Sequence, residues 1–152
     1  MASWFSKKNY VFMSEQVISP EEVLKIMLKN DRFTEWLGLQ IIEFGKGYCK
    51  LQYRITEDMM NGFNSIHGGI LFAAADSAFA FACNSYGHLT VALDATVHFT
   101  KPAKTGELLQ VEAVEVFLGN KIGIYDVRTT NEKEELVALF KGTAYRTSTK
   151  VS

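Results

Sequence analysis

One run of residues constrains the fold of this chain more than any other. From Asn64 it reads Asn-Ser-Ile-His-Gly-Gly-Ile-Leu-Phe-Ala-Ala-Ala-Asp-Ser-Ala-Phe-Ala-Phe-Ala-Cys, ending at Cys83. The His67-Gly68-Gly69 turn opens it, and the remainder reads as a helix apolar on nearly every side. Such a helix belongs in the interior of a domain. It is too short to span a bilayer, which takes about 20 apolar residues. One carboxylate, Asp76, interrupts it. A carboxylate that has lost its water is costly unless it is paired, protonated or put to use, so Asp76 is a candidate functional group.

The flanking segments say how the helix is covered. Ser19-Pro20-Glu21-Glu22 is a helix start, with an N-cap serine, proline at the first position and acids in the first turn. Val23, Leu24, Ile26 and Met27 give that helix one apolar face, and it ends near Asn30. Phe33, Trp36 and Leu37 read as a short cap on the body. Residues 39–44 and 48–55 form a hairpin around Gly45-Lys46-Gly47; Cys49, Leu51, Tyr53 and Ile55 alternate with polar residues as in a half-buried strand. After the long helix come four strands, over 90–99, 107–117, 121–130 and 135–147. The phase of the second slips between Ala113 and Val114, as at a bulge. Strand runs separated by a helix, without regular alternation, indicate an α+β fold: an antiparallel sheet wrapped around a long apolar central helix.

The chain has 152 residues, about one domain's worth. Residues 1–18 read as an N-terminal arm of uncertain structure and 19–149 as the single domain. A net charge of -1 gives no sign of a nucleic-acid surface. The two cysteines, Cys49 and Cys83, make no disulfide framework, and the three histidines, at 67, 88 and 98, do not fit zinc spacing. The first residues lack the continuous apolar stretch of a signal peptide. A cytoplasmic protein with no membrane contact and no metal is the expectation.

Four segments, in this order, carry a resemblance to a known family. They are Met60-Asn61-Gly62 with His67-Gly68-Gly69; Ala75 to Ala80 with Ala82 to Ser85; Phe99-Thr100-Lys101-Pro102-Ala103; and Gly123 to Val127 with Val137 to Gly142. Over about residues 35–147 the chain resembles the hotdog-fold, PaaI-like acyl-CoA thioesterases of the 4-hydroxybenzoyl-CoA thioesterase superfamily. The resemblance implies a hydrolase that splits an acyl-CoA, aryl or medium-chain, into free acid and coenzyme A. It implies no cofactor, coenzyme A being part of the substrate. Asp76 matches the family's nucleophile or general base, the Gly68 N–H its oxyanion donor, and Asn61 a polar residue beside the acyl group. His67, Gly69, Phe72, Ser77, Thr100, Lys101, Pro102 and Lys121 are the candidate residues for binding substrate and coenzyme A. Lys101 stands where many relatives have Arg, which turns a bidentate phosphate contact into a point charge. The family's usual assembly implies a homodimer that pairs into a tetramer.

The chemistry explains these residue types. Thioester hydrolysis places negative charge on the carbonyl oxygen, and a helix N-terminus offers free N–H donors and partial positive charge there. Glycines let the acyl group approach the backbone. Yet Gly68 and Asp76 are eight residues apart, roughly 12 Å at 1.5 Å per residue, whereas a base and an oxyanion donor must both lie within about 3–4 Å of one carbonyl. Gly68 of one protomer is therefore expected to work with Asp76 of another, across an antiparallel pair of central helices.

Plainer readings stand beside these. Asp76 could be a buried structural acid, paired with a lysine or capping a neighbouring element, His67 a capping or loop-fixing residue rather than a proton-transfer group, and Asn61 a turn residue. Phe72, Phe79 and Phe81 are mostly core, and Lys101, Lys104 and Lys121 could be solvated surface. Ser77 as a nucleophile lacks His and Asp partners at suitable spacing. Two functional rivals remain: a dehydratase or hydratase of acyl thioesters, and a non-catalytic acyl-CoA-binding module.

Overall fold

The computed structural model describes residues 18–152, so all of the N-terminal arm but Ile18 lies outside the described residues. Ser19 caps helix α1 (Pro20–Leu28) as the sequence indicates: its hydroxyl accepts from the Glu22 N–H, and the Glu22 carboxylate accepts from the Ser19 N–H in return. Helix α2 (Arg32–Leu37) comes next, capped by Asp31 and closed by Gly38 in a left-handed conformation. Strands β1 (Gln40–Gly45) and β2 (Tyr48–Arg54) make the hairpin, a 3-10 turn spans Glu57–Met59, and α3 (Gly68–Asn84) is the long helix. Strands β3 (His88–Phe99), β4 (Leu108–Leu118), β5 (Ile122–Thr130) and β6 (Leu136–Lys150) complete the order.

The six strands form one antiparallel sheet in the order β1-β2-β4-β5-β6-β3. Helix α3 lies across it, against β2 to β6. Leu71, Ala74, Ala75, Ala78, Phe79, Phe81 and Ala82 face the sheet and are buried. Phe79 stacks edge-on against Tyr125 at 5.4 Å and meets Phe140 at 5.7 Å. The helix comes this close because β6 has no side chain at Gly142, where a Cβ would stand 2.8 Å from the Phe79 ring.

Four expectations change in detail. Trp36 does not pack on the body; its side chain is 70% exposed, and Leu37 alone of the predicted cap trio is buried. The bulge in β4 falls between Glu115 and Phe117, not at Ala113: Ala113 is buried against the helix and Val114 is exposed on the outer surface, so two apolar neighbours lie on opposite faces of a regular strand. Strand β3 carries a bulge between Ala92 and Asp94 that its clean alternation hides. Ala95 and Val97 pack on the core, whereas Val91, Leu93 and Phe99 stay exposed. Finally, α3 is not covered all round. Gly69, Phe72, Ala73, Asp76, Ser77 and Ala80 recur at helical spacing and form a face that this protomer's own sheet leaves open. Strand β3, which runs beside that helix, is an edge strand with one side unpaired.

Candidate active site

The loop before α3 is held by backbone bonds at both ends. The His67 N–H donates to Met59 O at 2.8 Å, and the Ile66 N–H to Ala103 O at 2.9 Å. Inside the loop, Asn61 Oδ1 accepts from the N–H groups of Phe63 (2.8 Å) and Ser65 (3.3 Å). Asn61 is thus a turn residue, and among the described residues its Nδ2 donors have no acceptor. The segment delivers Gly68 to the first position of α3, where the backbone N–H has no intrahelical acceptor.

The next amide is spoken for. His67 caps α3, its Nδ1 accepting from the Gly69 N–H at 2.9 Å. An acceptor Nδ1 carries no proton, so the neutral ring is protonated at Nε2. The cap removes one of the two glycine amides from service and leaves the other: among the described residues, no acceptor pairs with the Gly68 N–H. Gly68 is also screened by Phe99, since a Cβ there would stand 3.0 Å from the ring's tip.

Gly68 opens on a cavity of about 320 Å³, which Asn61, Phe99, Thr100, Lys101 and Pro102 also line. The Thr100 hydroxyl donates to Leu136 O at 2.6 Å, fixing the exit of β3 against β6. The Lys101 ammonium meets Glu135 Oε1 at 2.8 Å. The structure therefore gathers Asn61, Gly68, Thr100, Lys101 and Pro102 at one cavity, with His67 and Gly69 beside it at the helix start.

Asp76 is elsewhere. It lies two turns further along α3, on the open face with Phe72 and Ser77, and none of the three lines the cavity. The Asp76 carboxylate has neither a hydrogen bond nor an ion pair among the described residues, so no lysine of residues 18–152 pairs with it within one protomer. Burial pushes its pKa up from the ordinary carboxylate value. Phe72 leans on Phe140 at 5.5 Å. Lys121 is at the opposite end of the sheet, in the β4–β5 turn with its ammonium over the Tyr145 ring, and one protomer does not bring it to the cavity. Both cysteine thiols are buried and free, each pushed up to about 12 by burial, so neither is a nucleophile at neutral pH. Among the described residues no three His, Cys, Asp or Glu side chains cluster to hold a metal, and no helix is long and apolar enough to cross a membrane.

Two residues of this region escape a sequence reading. Phe99 screens the donor although its place at the end of an alternating strand marks it as core. Glu135 meets Lys101 across a separation of 34 residues, and only the β6–β3 pairing brings them together.

Comparison with known proteins decides the family. The model of the thioesterase superfamily matches residues 63–138. The acyl-coenzyme A thioesterase PaaI of Escherichia coli is 39% identical over 120 residues, which are 79% of this chain and 86% of that protein. The chain belongs to the thioesterase superfamily. A protein of Archaeoglobus fulgidus is 43% identical over 126 residues, covering 83% of this chain and 82% of its own. The solved structure of the E. coli PaaI protein, from the phenylacetic acid degradation operon, superposes with a TM-score of 0.85 at 35% identity, over 88% of this chain and 96% of that one. The α+β hotdog architecture implied by the sequence is the one observed.

Proposed function

We propose that this protein hydrolyses acyl-CoA thioesters at a site shared by two protomers. The observation that carries the proposal is the division of labour along α3. An uncommitted N–H at Gly68 opens on the cavity, while the unpartnered carboxylate of Asp76 sits on an open helix face outside it. Two antiparallel copies of α3 would set Asp76 of one protomer opposite Gly68 of its partner. The open face suits such an approach, since Gly69, Ala73, Ser77 and Ala80 keep it shallow. The unpaired edge of β3 would extend the same contact, and exposed Val91 and Leu93 would be covered.

In this reading the thioester carbonyl oxygen accepts from the Gly68 N–H, with the Asn61 amide as a neighbouring donor. Negative charge gathering on that oxygen is met by the amide and by the positive end of the helix. The partner's Asp76 either takes a proton from the attacking water or attacks the carbonyl carbon itself, forming a mixed anhydride that water then splits; label found in Asp76 after a single turnover in ¹⁸O-water identifies the second route, with water attacking the Asp76 carboxyl carbon. Coenzyme A leaves as thiolate and takes up a proton. The cycle needs no metal or redox cofactor. Residues 19–149 act as one hotdog domain in a cytoplasmic dimer of dimers. The E. coli relative, from a phenylacetic acid operon, makes an arylacetyl thioester the first acyl group to try.

The test is free-thiol release from aryl, short, medium and long acyl-CoAs by the wild type and by Asp76→Ala. Hydrolysis that falls about 10²-fold or more in a still-dimeric variant is the expected result. Turnover indifferent to Asp76, or hydration of an enoyl-CoA without thiol release, overturns the reading.

A further inference from the structure

Beside the cavity at Gly68 lies a second one of about 340 Å³, and Lys101 and Pro102 line both. The second is walled by Glu107, Asn131, Glu132, Lys133 and Glu135. Lys101 thus stands at the join, with its backbone stitched to β6: the Thr100 N–H donates to Val137 O at 3.0 Å and the Lys101 N–H to the same oxygen at 3.4 Å.

The carboxylate that holds the Lys101 ammonium is itself built in. Glu135 Oε1 meets Lys101 Nζ at 2.8 Å, and Glu135 Oε2 accepts from Asn131 Nδ2 at 2.7 Å. Asn131 is buried, and its Oδ1 accepts from the N–H groups of Lys133 and Glu135, each at 3.0 Å. The turn closes with the Glu134 N–H on Asn131 O and with Glu134 at φ +61°, a conformation a non-glycine residue rarely adopts. An incidental surface ion pair has two mobile ends. Here one end is tethered through a buried asparagine and a strained turn, and it points at the cation nearest the mouth of the catalytic cavity.

We propose that Glu135 is an internal counter-ion for Lys101: it holds the ammonium while the site is empty, gives it up to a phosphate group of coenzyme A on binding, and takes it back as coenzyme A leaves. This rests on the acyl-CoA reading above and adds a residue that sets affinity for the nucleotide end. Glu135 then weakens coenzyme A binding, because its negative charge and the phosphate compete for one cation. It acts only on ligands that carry the phosphates, because the thioester end lies at Gly68.

The experiment measures binding of coenzyme A, and of pantetheine as the phosphate-free control, to wild type, Glu135→Gln, Lys101→Gln and the double variant. Glutamine can keep the hydrogen bond from Asn131 on its amide oxygen, while the charge and the acceptor facing the Lys101 ammonium are both lost. Glu135→Gln is expected to tighten coenzyme A about 2- to 5-fold at low salt, the range for exposed charge pairs. The gain should fade toward about 0.5 M salt, pantetheine binding should not change, and the gain should vanish when Lys101 is already glutamine. Unchanged or weaker coenzyme A binding in Glu135→Gln overturns the proposal. So does an equal gain with pantetheine, or a gain that survives without Lys101. If wild type binds coenzyme A no better than pantetheine, the acyl-CoA reading itself has failed, and the wild-type titration reports that separately.

Discussion

Replacing Gly142 by alanine tests whether the central helix is seated on the sheet by the absence of one side chain. Two effects oppose each other. Alanine has less freedom than glycine in the unfolded chain, which by itself stabilises by about 0.4–1 kcal/mol. Against this, the new Cβ would stand 2.8 Å from the Phe79 ring and 2.9 Å from the Phe140 ring, where carbon pairs settle at about 3.5–4.0 Å. Both rings are buried and already stacked against each other, so neither can swing out. Overpacking of this kind costs about 1–3 kcal/mol. The clash wins, and the net loss is about 0.5–2 kcal/mol, or about 1–8 °C in a protein of this size. Thermal melts at fixed protomer concentration read it directly. A double-mutant cycle with Phe79→Leu isolates the contact: the double variant should recover at least about 0.5 kcal/mol relative to the sum of the singles. Because Phe79 lies one turn beyond Asp76, Gly142→Ala should also lower thiol-release activity. A melt at or above the wild type's, or strict additivity in the cycle, refutes the reasoning.

The remaining predictions concern the site. Burial raises the Asp76 pKa, so the working carboxylate is lost as pH falls through that raised value, and kcat/KM should drop there; a rate flat from acid to neutral pH argues against Asp76 as base or nucleophile. The same sign makes the ionised form a cost to folding: Asp76→Asn should gain stability over wild type as pH rises from the ordinary carboxylate range through the raised pKa, measured by melts across that span. His67→Ala removes the N-cap of α3 and should destabilise by about 1 kcal/mol, checked by denaturant unfolding. Ala73→Arg puts two like charges where paired helices would cross and should give a folded, inactive monomer in light scattering; a fully active monomer sinks the shared site.

Much of the fold is legible in the chain because the helix and most strands obey single periods. Cys49, Leu51 and Tyr53 sit where alternation puts them, and Ser19 and Glu22 cap as their spacing indicates. What is not legible is what one period cannot encode. The β3 bulge at Leu93 hides because the alternation runs straight through it, Val91, Leu93, Ala95 and Val97 against Ala92, Asp94 and Thr96. Trp36 looks like core and is exposed. Of the site, the roles that depend on chain order can be read: a cap at His67, a glycine amide at the helix start, a lone acid on an apolar helix. Lys101 with Glu135, and Phe99 over Gly68, depend on which strands are neighbours, and that order is a property of the sheet.

The placement of Asp76 comes from the same physics that makes it costly. A carboxylate on the sheet-facing side of α3 would be fully desolvated and would break the packing of Phe79 and Ala75. Exposed on a loop, it would keep its water and an ordinary pKa, and it would be a weaker base. The open face lies between these limits: Asp76 is half-buried there in one protomer, and the proposed second protomer would cover it further. A two-fold axis that sets residue 68 opposite residue 76 passes the helix at residue 72, and it places two such sites symmetrically about itself. Dimerisation in this scheme does three things at once. It would cover the apolar face, raise the basicity of Asp76 by removing more water, and bring that carboxylate to the Gly68 donor of the other protomer, the Gly68 of its own helix being about 12 Å away. The apolar helix that specifies the fold is then also the element that divides the catalytic groups, so the assembly and the chemistry stand or fall together.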